Sequence, residues 1–124
     1  MANLTLTTTP FVLPEAPAEA DLVAKYFRGL GDPTRVRILA LLGEHGELSV
    51  GDLVERLGQS QPKVSNHLAC LRWCGFVQTR RVHPGVYYRV ADGRVSQLLA
   101  LGRALLADNA EHVAACRRID PKRC

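Results

Sequence analysis

QSQPKVSNHLACLRWCG, residues 59–75, carries the signals of one short helix with two dissimilar faces. Ser60 is an N-cap residue whose hydroxyl can satisfy a free backbone N–H of the first turn. Pro62 falls in that turn, where no intrahelical N–H is needed. Val64, Leu68 and Leu71 recur at helical spacing as a narrow apolar stripe. Gly75 supplies the stop, because a residue without Cβ adopts the left-handed cap conformation without strain. The opposite face begins with Gln61, Lys63, Ser65, Asn66 and His67 and ends in two thiols, Cys70 and Cys74. Cysteines four apart stack on one side of a helix, one turn from each other. One helix thus combines a surface suited to nucleic acid with half of a metal site. Trp73 is read as a packing residue.

On the N-terminal side, Glu47–Leu57 reads as a helix capped by Ser49, with Val50, Leu53, Val54 and Leu57 toward the core. Gly58-Gln59 is the turn between this helix and the next. A helix, a short Gly-containing turn and a second helix with a polar outer face make a helix-turn-helix. On the C-terminal side, Phe76–Val82 and Val86–Val90 are β-prone, and His83-Pro84-Gly85 between them is a turn signal. A basic hairpin in that position is the wing of a winged helix. Its tip can lie along the backbone or the minor groove while the helix enters the major groove.

Further out, a first helix is expected over 16–30, with Leu22, Val23, Tyr26, Phe27 and Leu30 on its apolar side. Asp32 and Pro33 then form an N-cap and first-position pair for a second helix that carries Val36, Ile38, Leu39, Leu41 and Leu42 and closes near Gly43. A long last helix is expected from Asp92 to about Cys116, with Val95, Leu98, Leu99, Leu105, Leu106 and Val113 on its apolar sides. It is longer than one small core requires, and pairing with a second copy across a two-fold axis would use the surplus. Residues 1–15, Thr-rich and broken by Pro10 and Pro14, are expected to be a mobile arm. Residues 117–124 form a basic tail that ends in Cys124. The expected architecture is mainly α with a small β-hairpin: a winged helix-turn-helix spanning 16–116, homodimeric through its terminal helices.

The 124 residues are one domain by length, and 47% of them are apolar, which allows a modest core. The net charge of +4 is unevenly placed. Between Arg56 and Ala91 stand Arg56, Lys63, Arg72, Arg80, Arg81 and Arg89, with no Asp or Glu. Such a stripe attracts phosphates and gives salt-sensitive binding, although charge alone fits a solvated basic face equally well. No stretch approaches the ~20 apolar residues of a membrane span. The first residues lack the basic start and apolar run of a signal peptide. Four cysteines without an export signal point to a reduced cytoplasmic protein, in which thiols serve as ligands or redox groups.

With these elements in place, the chain resembles the ArsR–SmtB family of metal-responsive winged-helix repressors. The resemblance covers roughly residues 20–116 and rests on GLGDPTRVRILALL, ELSVGDLVERLGQSQPKVSNHLACLRWCGFV and GVYYRV. It implies a homodimer that binds operator double-stranded DNA and leaves it when metal binds, with no enzymatic activity and no membrane partner. The family's C-x-C site in the helix before the recognition helix is replaced here by Ser49 and Gly51. Its zinc/nickel site on the final helix is also broken, since Arg94 stands at the His position after Asp92 and Leu105 where a later His would fall. The surviving match is to the CmtR-like cadmium/lead-sensing branch. That likeness implies Cys70 and Cys74 as ligands with Cys116 as the third, while Cys124 has no counterpart and is at most a spare ligand.

Three thiolates favour soft ions, so Cd(II) and Pb(II) are expected inducers with Hg(II) a close competitor. Zn(II) would need a fourth donor, such as Cys124 or a nearby His. Two cysteines four apart can also be small buried apolar residues, so their exposure discriminates. Gln61, Lys63, Ser65, Asn66 and His67 are the candidates for groove contacts. Ser60, Arg80, Arg81, His83 and Arg89 are the candidates for the DNA backbone. His45, His83 and His112 are read as surface residues rather than ligands, with His112 one turn before Cys116. A thiol-redox repressor of the same fold is the rival reading, though cysteines four apart on a rigid helix are awkward disulfide partners. A thiol enzyme or metal carrier would want C-x-x-C at a helix N-terminus, and this pair sits at the other end.

Overall fold

The computed structural model describes residue 15 and residues 18–116. The expected arm, apart from Glu15, and the tail with Cys124 lie outside the described residues. The elements run α1 (Ala18–Leu30), α2 (Pro33–His45), β1 (Leu48–Ser49), α3 (Val50–Leu57), α4 (Gln61–Trp73), β2 (Val77–Val82), β3 (Gly85–Val90) and α5 (Gly93–Ala115).

The starts of α2, α3 and α4 are chemically marked. The Asp32 carboxylate accepts from the backbone N–H of Thr34 at 2.8 Å and of Arg35 at 3.1 Å, with Pro33 opening α2. Ser49 and Asp52 form a reciprocal capping box at α3, each side chain accepting from the other's N–H at 3.1 Å. Ser60 Oγ accepts from Lys63 N at 3.4 Å at the start of α4. The end of α4 is equally specific. Gly75 adopts φ +81°, its N–H donates to Arg72 O at 3.1 Å, and Phe76 N–H donates to Leu71 O at 2.8 Å. These paired bonds satisfy the last carbonyls, and the buried Leu71 and Phe76 supply the apolar contact that accompanies such an ending. Gly58 likewise takes φ +68° at the turn into α4, a backbone conformation that favours glycine.

The core is made by Ile38, Leu39 and Leu42 of α2, Leu48, Leu53 and Leu57 around α3, and Val64, Leu68 and Leu71 of α4. Phe76, Val77 and Val95 close it. The stripe expected on α4 is therefore the buried one. Truncating a member such as Leu68 to Ala would cost about 2–5 kcal/mol.

Two expectations are corrected. Residues 47–49 are not the first turn of a helix: Leu48 and Ser49 form β1, pairing with Tyr88 and Tyr87 and giving an antiparallel sheet of order β1-β3-β2. Leu48 is buried in that pairing, and sheet bonds outweigh the helical reading of a segment that already carries its own N-cap. The second helix continues past Gly43 to His45, where Gly46 at φ +87° ends it. The wing pairs Val77 through Val82 with Val90 through Gly85 in register. The last helix is interrupted at Asn109, whose φ of −129° breaks the helical run while its side-chain amide donates to Leu105 O at 3.0 Å. No described helix is long and apolar enough to cross a membrane.

Candidate nucleic-acid interface and thiol site

α4 turns its polar face outward. Gln61, Lys63, Ser65 and Asn66 are exposed, as are Arg81, His83 and Arg89 on the wing. Two of the wing candidates are engaged within the chain. Arg80 forms a two-pronged ion pair with Glu47, Nη2 to Oε1 at 2.6 Å and Nε to Oε2 at 2.8 Å. Its hydrogen bond to Arg80 lowers the Glu47 carboxyl below its ordinary value. Arg89 Nη2 donates to Gln78 Oε1 at 3.1 Å across the hairpin.

His67 is half-buried rather than fully outward. Its Nδ1 lies 3.5 Å from Arg35 Nη1 and 3.9 Å from Asp32 Oδ1. Arg35 also donates through Nε to Gly29 O at 2.7 Å and through Nη2 to Arg28 O at 3.3 Å. One guanidinium therefore holds the end of α1 to α4. Gln59, in the turn, donates from its amide to Thr34 Oγ1 at 2.9 Å. Spacing alone does not single out Arg35, because its importance lies in how far its side chain reaches across to other elements.

The assignment of Trp73 to packing is overturned: it is 90% exposed. Its position nine residues after Val64 puts it about 180° round an ideal helix from the core stripe, a signal that was present in the sequence.

Cys70 is half-buried and Cys74 exposed. Both are free thiols, and neither belongs to the buried core. Cys74 caps α4 and lies against α1, where a Cβ added to Gly29 would stand 3.5 Å from its Sγ and 3.2 Å from Phe76 Cε2. Partial burial pushes the Cys74 thiol up, and the charge and hydrogen bond of the adjacent Cys70 add to this, with Arg35 and Lys25 opposing. Tyr26, its ring 4.5 Å from that of Phe76, is also raised, first by burial and then by Cys74. The thiol pair is a soft donor set that suits thiophilic ions. Among the described residues no three His, Cys, Asp or Glu side chains converge on one point, so Cys116 does not join the pair within one chain. At the start of α5, Asp92 is tied to Arg94, Oδ2 to Nη2 at 2.8 Å.

Three helices ahead of a helix with a polar outer face, followed by a basic hairpin, define a winged helix-turn-helix of the DNA-binding class. The sequence profile described as "Bacterial regulatory protein, arsR family" matches residues 32–79. A protein named a probable mercury resistance operon repressor in Streptomyces lividans is 46% identical over 99 residues, covering 80% of this chain and 78% of its own. The chain belongs to the arsR family of bacterial transcriptional regulators, which is not a family of enzymes. Among solved structures, Rv0081 of Mycobacterium tuberculosis superposes with a TM-score of 0.72 at 34% identity, covering 82% of this chain and all of that one. The homodimeric winged helix-turn-helix DNA-binding domain Mb0332 from Mycobacterium bovis gives 0.65 at 31% identity, covering 79% and 92%.

Proposed function

We propose that this regulator is a homodimeric repressor released from operator DNA when a soft thiophilic ion, Cd(II), Pb(II) or Hg(II), binds a cysteine cluster that includes Cys70 and Cys74. The observation that carries the reading is the placement of those two free thiols side by side at the end of the helix that presents the polar outer face. The mercury-resistance relative supports a metal signal. In the cytoplasm, where DNA and reduced thiols coexist, both halves of the mechanism are available.

Dimerisation rests on the terminal helices. Phe27 on α1 and Leu101, Leu105 and Leu106 on α5 are exposed apolar side chains around a groove of about 470 Å³, and Val113 lies further along α5. A two-fold copy would cover them, as fits the homodimeric Mb0332 neighbour. Cys116, at the end of α5, is the third ligand, delivered by the partner subunit. Cys124 is an auxiliary thiol at most.

The chain's own residues then do three things. Gln61, Lys63, Ser65, Asn66 and, through its exposed edge, His67 face the major groove, while Ser60, Arg80, Arg81, His83 and Arg89 meet phosphates. Cys70 and Cys74 lose their protons on binding the ion, which supplies a sulfur-held link between the reading helix and the dimer helices. That link shifts the reading helices away from the ~34 Å separation that two half-sites require. Each ~1.4 kcal/mol of coupling weakens binding tenfold.

The test is fluorescence anisotropy of a labelled duplex carrying the DNA upstream of the gene. Titration with Cd(II), Pb(II) and Hg(II) is followed in parallel by the ultraviolet absorption of metal–thiolate charge transfer. Metal-dependent release is expected. Operator affinity indifferent to all three ions would falsify the reading.

A further inference from the structure

We infer that Trp73 is a DNA contact, carrying the nucleic-acid face of α4 beyond the groove and onto the flanking sugar–phosphate backbone. The inference rests on the operator-binding reading above and adds a residue that reading does not use. Among the described residues Trp73 is the most exposed large apolar side chain, at 90%.

Its direction is set by the helix. With ~100° per residue, Trp73 lies within about 20° of Asn66 and diametrically opposite Val64. It is not among the side chains lining the apolar groove between α1 and α5. Its neighbours are Ala69 and Arg72, with which it lines a shallow concavity of about 410 Å³. No Asp or Glu occurs between Arg56 and Ala91, so α4 and the wing themselves contribute only positive charge to this surface.

Distance selects the part of the DNA involved. Seven residues of helix separate Asn66 from Trp73 by ~10 Å, and the major groove is ~12 Å wide. With Asn66 over base edges, Trp73 stands above the phosphates that border the groove. There its indole N–H can donate to a phosphate oxygen and its ring can lie against deoxyribose, contacts that carry affinity without sequence information. Ala69 between them keeps the approach open.

The chain contains a single tryptophan, which makes the test direct. Acrylamide quenching of tryptophan emission is measured with and without a duplex of the upstream DNA and with a mixed-sequence duplex at low salt. DNA binding is followed separately by anisotropy of the labelled duplex. Trp73 is expected to become shielded on both duplexes. Trp73→Ala is expected to weaken both by about five- to tenfold, with Trp73→Phe recovering part of the loss. Bound DNA with unchanged quenching and an unaltered Trp73→Ala affinity would overturn the inference. Shielding that grows with protein concentration in the absence of DNA would also overturn it, by assigning the surface to a protein contact. A chain that binds neither duplex overturns the operator reading and this inference together.

Discussion

Arg80 on the wing grips Glu47, the residue just before β1, through two hydrogen bonds of 2.6 and 2.8 Å. The same guanidinium is a candidate for a phosphate contact, for which the carboxylate and the DNA would compete. Glu47→Gln removes the competitor's charge. The expected outcome is tighter DNA binding with a salt slope steeper by about 1. The double variant Glu47→Gln/Arg80→Ala should show neither gain, a cycle that isolates the pair from general charge effects. Equal affinities for wild type and Glu47→Gln across salt concentrations would remove Arg80 from the phosphate contacts.

Among the described residues the Arg35 guanidinium is the only side-chain donor on the last carbonyls of α1, and it also approaches His67. Arg35→Met would leave Gly29 O without this partner in a half-buried position, and such an orphaned acceptor costs about 1–3 kcal/mol. Thermal denaturation should show the loss. Arg35→Lys should restore little, because an ammonium cannot reach two carbonyls and a ring nitrogen in one plane.

The cysteines are expected to contribute unequally. Cys70→Ser and Cys74→Ser should each abolish the thiolate-to-metal absorption of Cd(II) and Pb(II) and leave DNA binding without metal intact. Cys116→Ser should weaken metal uptake while leaving a residual two-thiol signal for Hg(II) alone, because mercury accepts two thiolates. Since the ion displaces thiol protons, Cd(II) affinity should rise with pH. A Cys116→Ser variant that binds Cd(II) as the wild type does would place the third donor elsewhere.

Asp92 contributes to the acid limb of stability. The Arg94 side chain, then the Arg94 backbone N–H, holds its carboxyl at about 2, below the ordinary 3.8. A carboxylate depressed on folding stabilises the fold above its unfolded value and stops doing so as pH falls through its folded value. The stability difference between wild type and Asp92→Asn should therefore be constant near neutrality and shrink between pH 3.8 and about 2. Urea titrations across that range measure it.

What the sequence discloses here follows the range of the interactions. Ser60, Pro62 and Gly75 bound α4 by contacts within a few residues, so its limits and its Val64–Leu68–Leu71 stripe could be read directly. β1 could not, because its two residues become a strand only by meeting Tyr87 and Tyr88 far along the chain. Trp73 is of a type that favours burial, yet its helical phase points away from the core. The paired thiols were legible as a one-turn spacing on one helix. Where Cys116 stands relative to them was not, since it depends on how α5 crosses the rest of the fold and on a second copy.

Gly29 has no side chain where α1 passes Phe76 and Cys74, and even a methyl there would sit 3.2 Å from the aromatic ring. On the metal-sensing proposal, an ion held by the Cys74 sulfur would meet α1 on one side and solvent on the other. Ionic radius becomes a lever under these conditions. A larger cation would then lean harder on the first helix than a smaller one carrying the same charge, so crowding as well as bond strength would discriminate among thiophilic metals.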